Sequence, residues 1–269
     1  MYLEFFGLSA KPFDKTPNPA FFYRSPIHEE ALARLQYGTE ERELTLLTGE
    51  IGTGKTMLSR ALIDSFNETH LPILMVNPRL SPNQFLKTIA RRLGIDSPSY
   101  YRNDLLDQIN EALFQCYESD ICPVIIIDEA QLIPSRSTFD EIRLLTNFQL
   151  DDANLLALIL IGQPELRKRL KHVSYEAVKQ RIGIRYHLGP LGREDTGLYI
   201  AHRLSTAGGD PGIVDEEAAD VIFRYSGGLP RVINNIAANA LLTGFSKDLP
   251  VIGPDIVLDV VEDLDLEPV

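Results

Sequence analysis

Three features of the 269-residue sequence predict an α/β protein, with a parallel sheet covered on both faces and a small helical domain after it. Apolar, strand-sized runs alternate with helical patterns from about residue 44 to residue 188. From Gly192 onward only helical patterns remain. Between the first strand and the helix after it lies a glycine-rich loop ending in Gly54-Lys55-Thr56. Strands that are apolar throughout belong to sheets buried on both faces, and parallel strands need helical crossovers.

Residues 1 to 43 open with an arm of aromatics and prolines between Phe5 and Tyr23, and then Ser25-Pro26 starts a helix through Ala31, Leu32 and Leu35. Serine as N-cap with proline at the first helical position is a strong start signal. Strands are predicted at Leu44 to Thr48, Leu71 to Val76, Val124 to Ile127, Leu155 to Ile161 and, shorter, Arg185 to Leu188. Helices are predicted over Lys55 to Phe66, Pro82 to Leu93, the face marked by Leu105, Ile109, Leu113 and Tyr117, and Phe139 to Phe148. Four more follow: Leu198 to Leu204, Glu216 to Tyr225, Leu229 to Leu242 and Asp255 to Leu264. The third of these is the most regular, since Val232, Ile233, Ile236, Ala237, Ala240 and Leu241 keep to one helical face.

With 44% hydrophobic and 24% charged residues, the composition excludes disorder for most of the chain. The longest strongly apolar run, Leu155 to Ile161, is strand-sized, far from the roughly 20 residues that span a bilayer. The opening Met1-Tyr2-Leu3-Glu4-Phe5-Phe6 lacks the basic and apolar regions of a secretory leader. A soluble cytoplasmic protein without a transmembrane segment is therefore expected. Cys116 and Cys122 have no cysteine or histidine cluster near them and read as structural filler. The net charge is −12, and six acids between Asp255 and Glu267, with no Lys or Arg among them, account for half of it. Such a balance argues against coating nucleic acid by bulk charge. One basic stretch stands apart: Arg167, Lys168, Arg169, Lys171, Lys179, Arg181 and Arg185 against the single acid Glu176.

The run Gly49-Glu50-Ile51-Gly52-Thr53-Gly54-Lys55-Thr56 fits G-x-x-x-x-G-K-[ST], after a predicted strand and opening a helix. Glycines let backbone N–H groups curl round phosphate oxygens and the helix N-terminus favours negative charge. Lys55 is read as reaching the β and γ phosphates and Thr56 as ligating Mg²⁺, with Met57 closing the binding segment. Val124-Ile125-Ile126-Ile127 ends in Asp128-Glu129. Paired with such a loop, Asp128 is assigned to the Mg²⁺ shell and Glu129 to polarising the attacking water. Gln163 follows the fourth strand, at the sheet end where ligands bind. It is read either as a contact to the γ-phosphate or lytic water, or as a turn residue capping the next helix.

The two motifs, Gln163 and a helical domain carrying Gly227-Gly228-Leu229-Pro230-Arg231 resemble an AAA+ ATPase, a P-loop NTPase with a three-layer core and a C-terminal helical lid. Met1-Tyr2-Leu3-Glu4-Phe5-Phe6-Gly7-Leu8, Pro12-Phe13, Thr16-Pro17-Asn18-Pro19, Asp128-Glu129-Ala130-Gln131 and Gly162-Gln163-Pro164-Glu165-Leu166 resemble, more narrowly, the ExeA-like ATPases of general secretion and pilus assembly. That resemblance covers residue 1 to about residue 245. It implies ATP and Mg²⁺ as cofactors, Gln163 as sensor 1, Arg231 as sensor 2 and Arg181, with Arg185 in reserve, as the arginine finger given to a neighbouring subunit. It also implies self-association into a ring or filament, envelope secretion or pilus proteins as partners, and an arm whose His28 lies near the adenine or whose aromatics pack on the core. Secretion-type relatives continue into a membrane span and a peptidoglycan-binding domain, so direct cell-wall binding is not expected of residues 1–269. Gly192 stands where a capping serine is expected, which costs only a few tenths of a kcal/mol.

The organisation expected is an arm and first helix over 1–43, a nucleotide-binding core over 44–191, a lid over 192–254 and an acidic segment over 255–269. The acidic segment reads equally as an interaction segment or a solvated final helix. The basic stretch reads as an inter-subunit surface, a DNA-contacting surface or a solvated face. The function implied is an Mg-dependent ATPase that drives or switches a secretion or pilus system. The alternative is a DNA-binding regulator of transposition resembling TniB and TnsC.

Overall fold

The computed structural model describes residues 1–14, 16, 18–150 and 153–269; Pro17 of the arm motif lies outside them. In chain order the first half holds α1 (Tyr2–Phe5), α2 (Pro26–Glu40), β1 (Leu44–Gly49), α3 (Lys55–Asp64), β2 (His70–Met75), α4 (Pro82–Arg92), α5 (Arg102–Glu118) and β3 (Cys122–Ile127). The second half holds α6 (Arg136–Leu145), β4 (Ala157–Gly162), α7 (Pro164–Leu170), α8 (Glu176–Lys179), β5 (Ile182–Leu188), α9 (Arg193–Thr206), α10 (Glu216–Ser226), α11 (Pro230–Ser246) and α12 (Pro254–Asp263). The residues form two compact units that do not follow chain order. A sheet unit comprises Glu30–Gly49 and Leu58–Leu188; a helical unit comprises Met1–Glu29, Glu50–Met57 and Gly189–Val269.

The sheet is parallel throughout, in the order β2-β3-β4-β1-β5. Its central strands β1, β3 and β4 are buried at every position; β3 and β4 are apolar nearly throughout, and β1 adds the buried hydroxyls of Thr45 and Thr48. On one face Leu44, Leu46, Ile125, Ile127, Leu158 and Leu160 meet Phe85, Ile109, Phe139 and Leu166 in a single core. The alternate residues Leu47, Val124, Ile126, Ile159 and Ile161 are fully buried as well. Each such side chain contributes about 1.5–3 kcal/mol by leaving water. α2 lies against β1 so closely that a Cβ on Gly38 would stand 2.1 Å from Thr45 Oγ1. α4 starts where predicted, because Ser81 Oγ accepts from Gln84 N–H while Gln84 Oε1 accepts from Ser81 N–H. The edge strand β5 begins three residues before the apolar signal does, and its middle five residues are only partly buried or exposed.

In the helical unit α9, α10, α11 and α12 share a core with Phe6, Leu8, Phe13 and Phe21 of the arm. Arg203 fastens the arm: its Nε donates to Pro12 O at 2.5 Å and its guanidinium lies 5.1 Å from the Phe21 ring centroid. α12 buries Ile256, Val257, Val260 and Val261 and turns its acids outward, so this part of the acidic segment is a packed amphipathic helix. Among the described residues no helix is long and apolar enough to cross a membrane.

Candidate active site

The chain leaves β1 at Gly49 and turns through Glu50 to Gly54 into α3. Gly52 and Gly54 have φ of +89° and +101°, a region that side chains with a Cβ rarely adopt. Space demands glycine too: a Cβ on Gly52 would lie 2.7 Å from Arg231 Cβ, and one on Gly54 2.9 Å from His28 Nε2. Arg231 N–H donates to Gly52 O at 3.3 Å, which brings the start of α11 onto the loop. His28 holds the other side. Its Nε2–H donates to Thr53 O at 3.0 Å and its Nδ1 accepts from Ser25 Oγ at 2.7 Å. A carbonyl only accepts, so these partners fix the neutral tautomer. Burial lowers the His28 pKa, and the Thr53 carbonyl and Asp195 oppose the shift. Glu50 O gathers three donors: Lys55 Nζ at 2.7 Å, Thr53 Oγ1 at 2.9 Å and Thr53 N–H at 3.4 Å. Lys55 is buried, 6% exposed, at the N-terminus of α3.

The sheet unit carries a second group of polar side chains. Pairing of Ile127 with Leu160 and of Thr48 with Gly162 sets Asp128, Glu129 and Gln163 just past the same edge of the sheet, with β1 between β4 and β5. This is the carboxyl edge, where the neighbouring strands β4 and β1 send their onward connections to opposite sides of the sheet, and open α/β sheets bind ligands at such points. Asp128 is 3% exposed; its N–H donates to Met75 O and its Oδ1 accepts the Glu129 N–H, both at 2.8 Å. Glu129 has φ 54° and ψ 38°, a left-handed conformation costing a non-glycine residue about 1–2 kcal/mol. Its Oε2 accepts from Gln131 Nε2 and, at 3.1 Å, from Gln163 Nε2. Gln163 is the N-cap residue of α7 yet makes no side-chain cap; its amide turns to Glu129 instead.

The loop by itself fits the phosphates of a nucleotide. Two positive-φ glycines ahead of a helix N-terminus, with a buried lysine, make an anion cradle. Thr56 and, separately in the sheet unit, Asp128 each carry a hard oxygen donor, the type Mg²⁺ takes. Of the basic stretch, Arg181 and Arg185 are exposed. Arg169 is consumed in packing: it lies over the Phe139 and Tyr175 rings and donates to Tyr175 OH at 2.9 Å. Neither that role nor Gln131 was legible beforehand; the only signal for Gln131 was its place in Asp128-Glu129-Ala130-Gln131. His28, which the resemblance put near the adenine, touches the loop backbone.

Residues 38–170 match the family model described as an AAA domain. General secretion pathway protein A of Aeromonas hydrophila is 39% identical over 255 residues, 92% of this chain and 45% of the relative. The chain thus spans less than half the length of that relative. Among solved structures, Cdc6p from Pyrobaculum aerophilum aligns with a TM-score of 0.70 at 19% identity, covering 94% of this chain and 70% of that one. The Thermotoga maritima RuvB Holliday junction branch migration motor gives 0.60 at 19% identity, over 89% and 70%. At such identities these two establish a shared fold. The matched AAA domain and the secretion relative agree, and the chain belongs to the ExeA-like AAA+ ATPases.

Proposed function

We propose that the chain hydrolyses ATP in an Mg²⁺-dependent reaction and that turnover drives or switches a secretion or pilus system from the cytoplasmic side. The observation that carries the chemistry is the Glu129 carboxylate held at the end of β3 by two amide donors. The choice of process rests on the secretion relative. When bound, Mg²⁺ supplies positive charge shared across the phosphates, and Thr56 and Asp128 are the residues to hold it. The loop from Gly49 to Met57 cradles the phosphates through its backbone, and Lys55 offsets their charge. Glu129 orients water for in-line attack and takes its proton. Gln163 acts at the same carboxylate, and Arg231, seated on the loop, senses the phosphates from the helical unit. Arg181, exposed beside β5, completes the site of a neighbouring subunit in a ring or filament.

The test is ATPase rate against protein concentration, with and without double-stranded DNA, at low and physiological salt. A specific rate that climbs with concentration and ignores DNA is expected. Mixing inactive Arg181→Ala with inactive Glu129→Gln should restore activity at mixed interfaces; no rescue at any ratio removes the finger assignment. A second reading, DNA-dependent switching of the transposition type, is favoured by one observation. Arg167, Lys171, Lys179 and Arg185 rim a cavity of about 270 Å³ in the sheet unit. DNA stimulation that fades as salt rises would replace the first reading with the second.

A further inference from the structure

We infer that Gln131 is a positioning residue for hydrolysis, one amide that fixes the Glu129 carboxylate and ties it to the end of β4. The inference rests on the reading of Glu129 as the base. Both ends of the amide are used: Nε2 donates to Glu129 Oε2, and Oε1 accepts the Gln163 N–H at 3.1 Å. Gln163 Nε2 donates to the same Glu129 Oε2 at 3.1 Å, so one carboxylate and two amides form a closed ring of hydrogen bonds. Both donors take the same carboxylate oxygen, which leaves Oε1 as the oxygen turned to other chemistry.

The backbone is built for this ring. Glu129 takes the left-handed conformation, and the single 3-10 turn Ala130–Leu132 follows at once, which folds Gln131 back over the residue two before it. Gly162 leaves room for the amide, since a Cβ there would stand 2.9 Å from Gln131 Oε1 and 2.7 Å from Leu166 Cδ2. A glutamine that only filled space would need neither the strained residue before it nor the missing side chain opposite. A carboxylate in the left-handed region, on a short loop, has no helix or strand to fix its rotamer. Gln131 supplies that constraint and makes it depend on the position of β4.

The experiment compares the full-length wild type with Gln131→Met, Gln131→Glu, Glu129→Gln and the Gln131→Met/Glu129→Gln double variant. It reads single-turnover rate, KM for ATP, Kd for a fluorescent ATP analogue, and melting temperature. Gln131→Met removes both hydrogen bonds at constant size, whereas Gln131→Glu keeps the acceptor for Gln163 N–H and loses the donor to Glu129. Both should slow turnover about ten- to a hundredfold, as loss of groups that orient a functional ligand does, with KM and Kd unchanged. In the Glu129→Gln background Gln131→Met should cause no further loss, because the carboxylate it positions is gone. Three results overturn the inference while Glu129 keeps its role: wild-type turnover in Gln131→Met, wild-type turnover in Gln131→Glu, or losses that multiply in the double variant. Loss of the analogue by Gln131→Met overturns it too, since a positioning residue leaves binding intact. Full turnover in Glu129→Gln alone removes the base assignment and the role of Gln131 with it.

Discussion

The sheet unit and the helical unit hold their candidate site residues by different means. In the sheet unit side chains are fixed by one another at the ends of buried strands, with Gln131 and Gln163 converging on Glu129. In the helical unit it is backbone that is fixed, with His28 and Arg231 gripping the glycine loop at Thr53 and Gly52. Backbone N–H groups suit a constant ligand such as a phosphate, while a reacting water needs a group whose position is tuned. On the proposed function, the helical unit would govern affinity and the sheet unit rate.

The largest effect should come from breaking that assignment directly. Glu129→Gln should lower kcat by about 10²–10⁴-fold, the range for a lost general base, and leave the Kd for ATP within twofold. Lys55→Ala should raise that Kd about ten- to a hundredfold through loss of charge-assisted hydrogen bonds. Single-turnover kinetics beside equilibrium binding separates the two. A Glu129→Gln protein that lost affinity, or a Lys55→Ala protein that kept it, would dissolve the division between units.

Sequence periodicity located the strands β3 and β4 of the sheet unit because they are apolar over nearly their whole length. β5 was seen only from Arg185, since an edge strand with Gly183 and His187 on open positions carries little apolar signal. The grouping of the loop with the arm and the C-terminal helices was not visible, because the contacts that create it join residues as distant as Gly52 and Arg231. Periodicity reports only local faces. The amide ring was hidden for a related reason: Gln131 and Gln163 look like any polar residues after a strand until β3 and β4 are known to be neighbours.

One substitution placed in both regions sharpens the comparison. Gly52→Ala forces a side chain into φ +89° and within 2.7 Å of Arg231 Cβ. It should destabilise by about 2 kcal/mol, a fall in Tm of roughly 4–8 °C, and weaken ATP binding. Gly162→Ala presses on Leu166 and Gln131 Oε1 instead. Its expected result is slower turnover at unchanged Kd, read by the same kinetics; equal effects of the two on Kd would erase the contrast.

The smallest expected effect concerns His28, the titratable side chain on the backbone-holding side. Burial lowers its pKa below the ordinary 6.5, with the Thr53 carbonyl and Asp195 pulling the other way. Above pH 6.5 the ring is neutral in folded and unfolded chains alike, and the full stability of its two hydrogen bonds is present. As pH falls through 6.5 the unfolded chain takes up the proton first, so stability drops until the folded-state pKa is passed. The slope for one proton is at most about 1.4 kcal/mol per pH unit. Denaturant unfolding from pH 7.5 to pH 5 should show this loss in the wild type and a shallower one in His28→Gln, which has no proton to gain. His202, whose pKa is also lowered by burial and by Arg203, titrates in both proteins and cancels in the difference. Parallel curves would mean that the loop is held by Arg231 and its own glycine geometry, with His28 contributing no pH-dependent part of the grip.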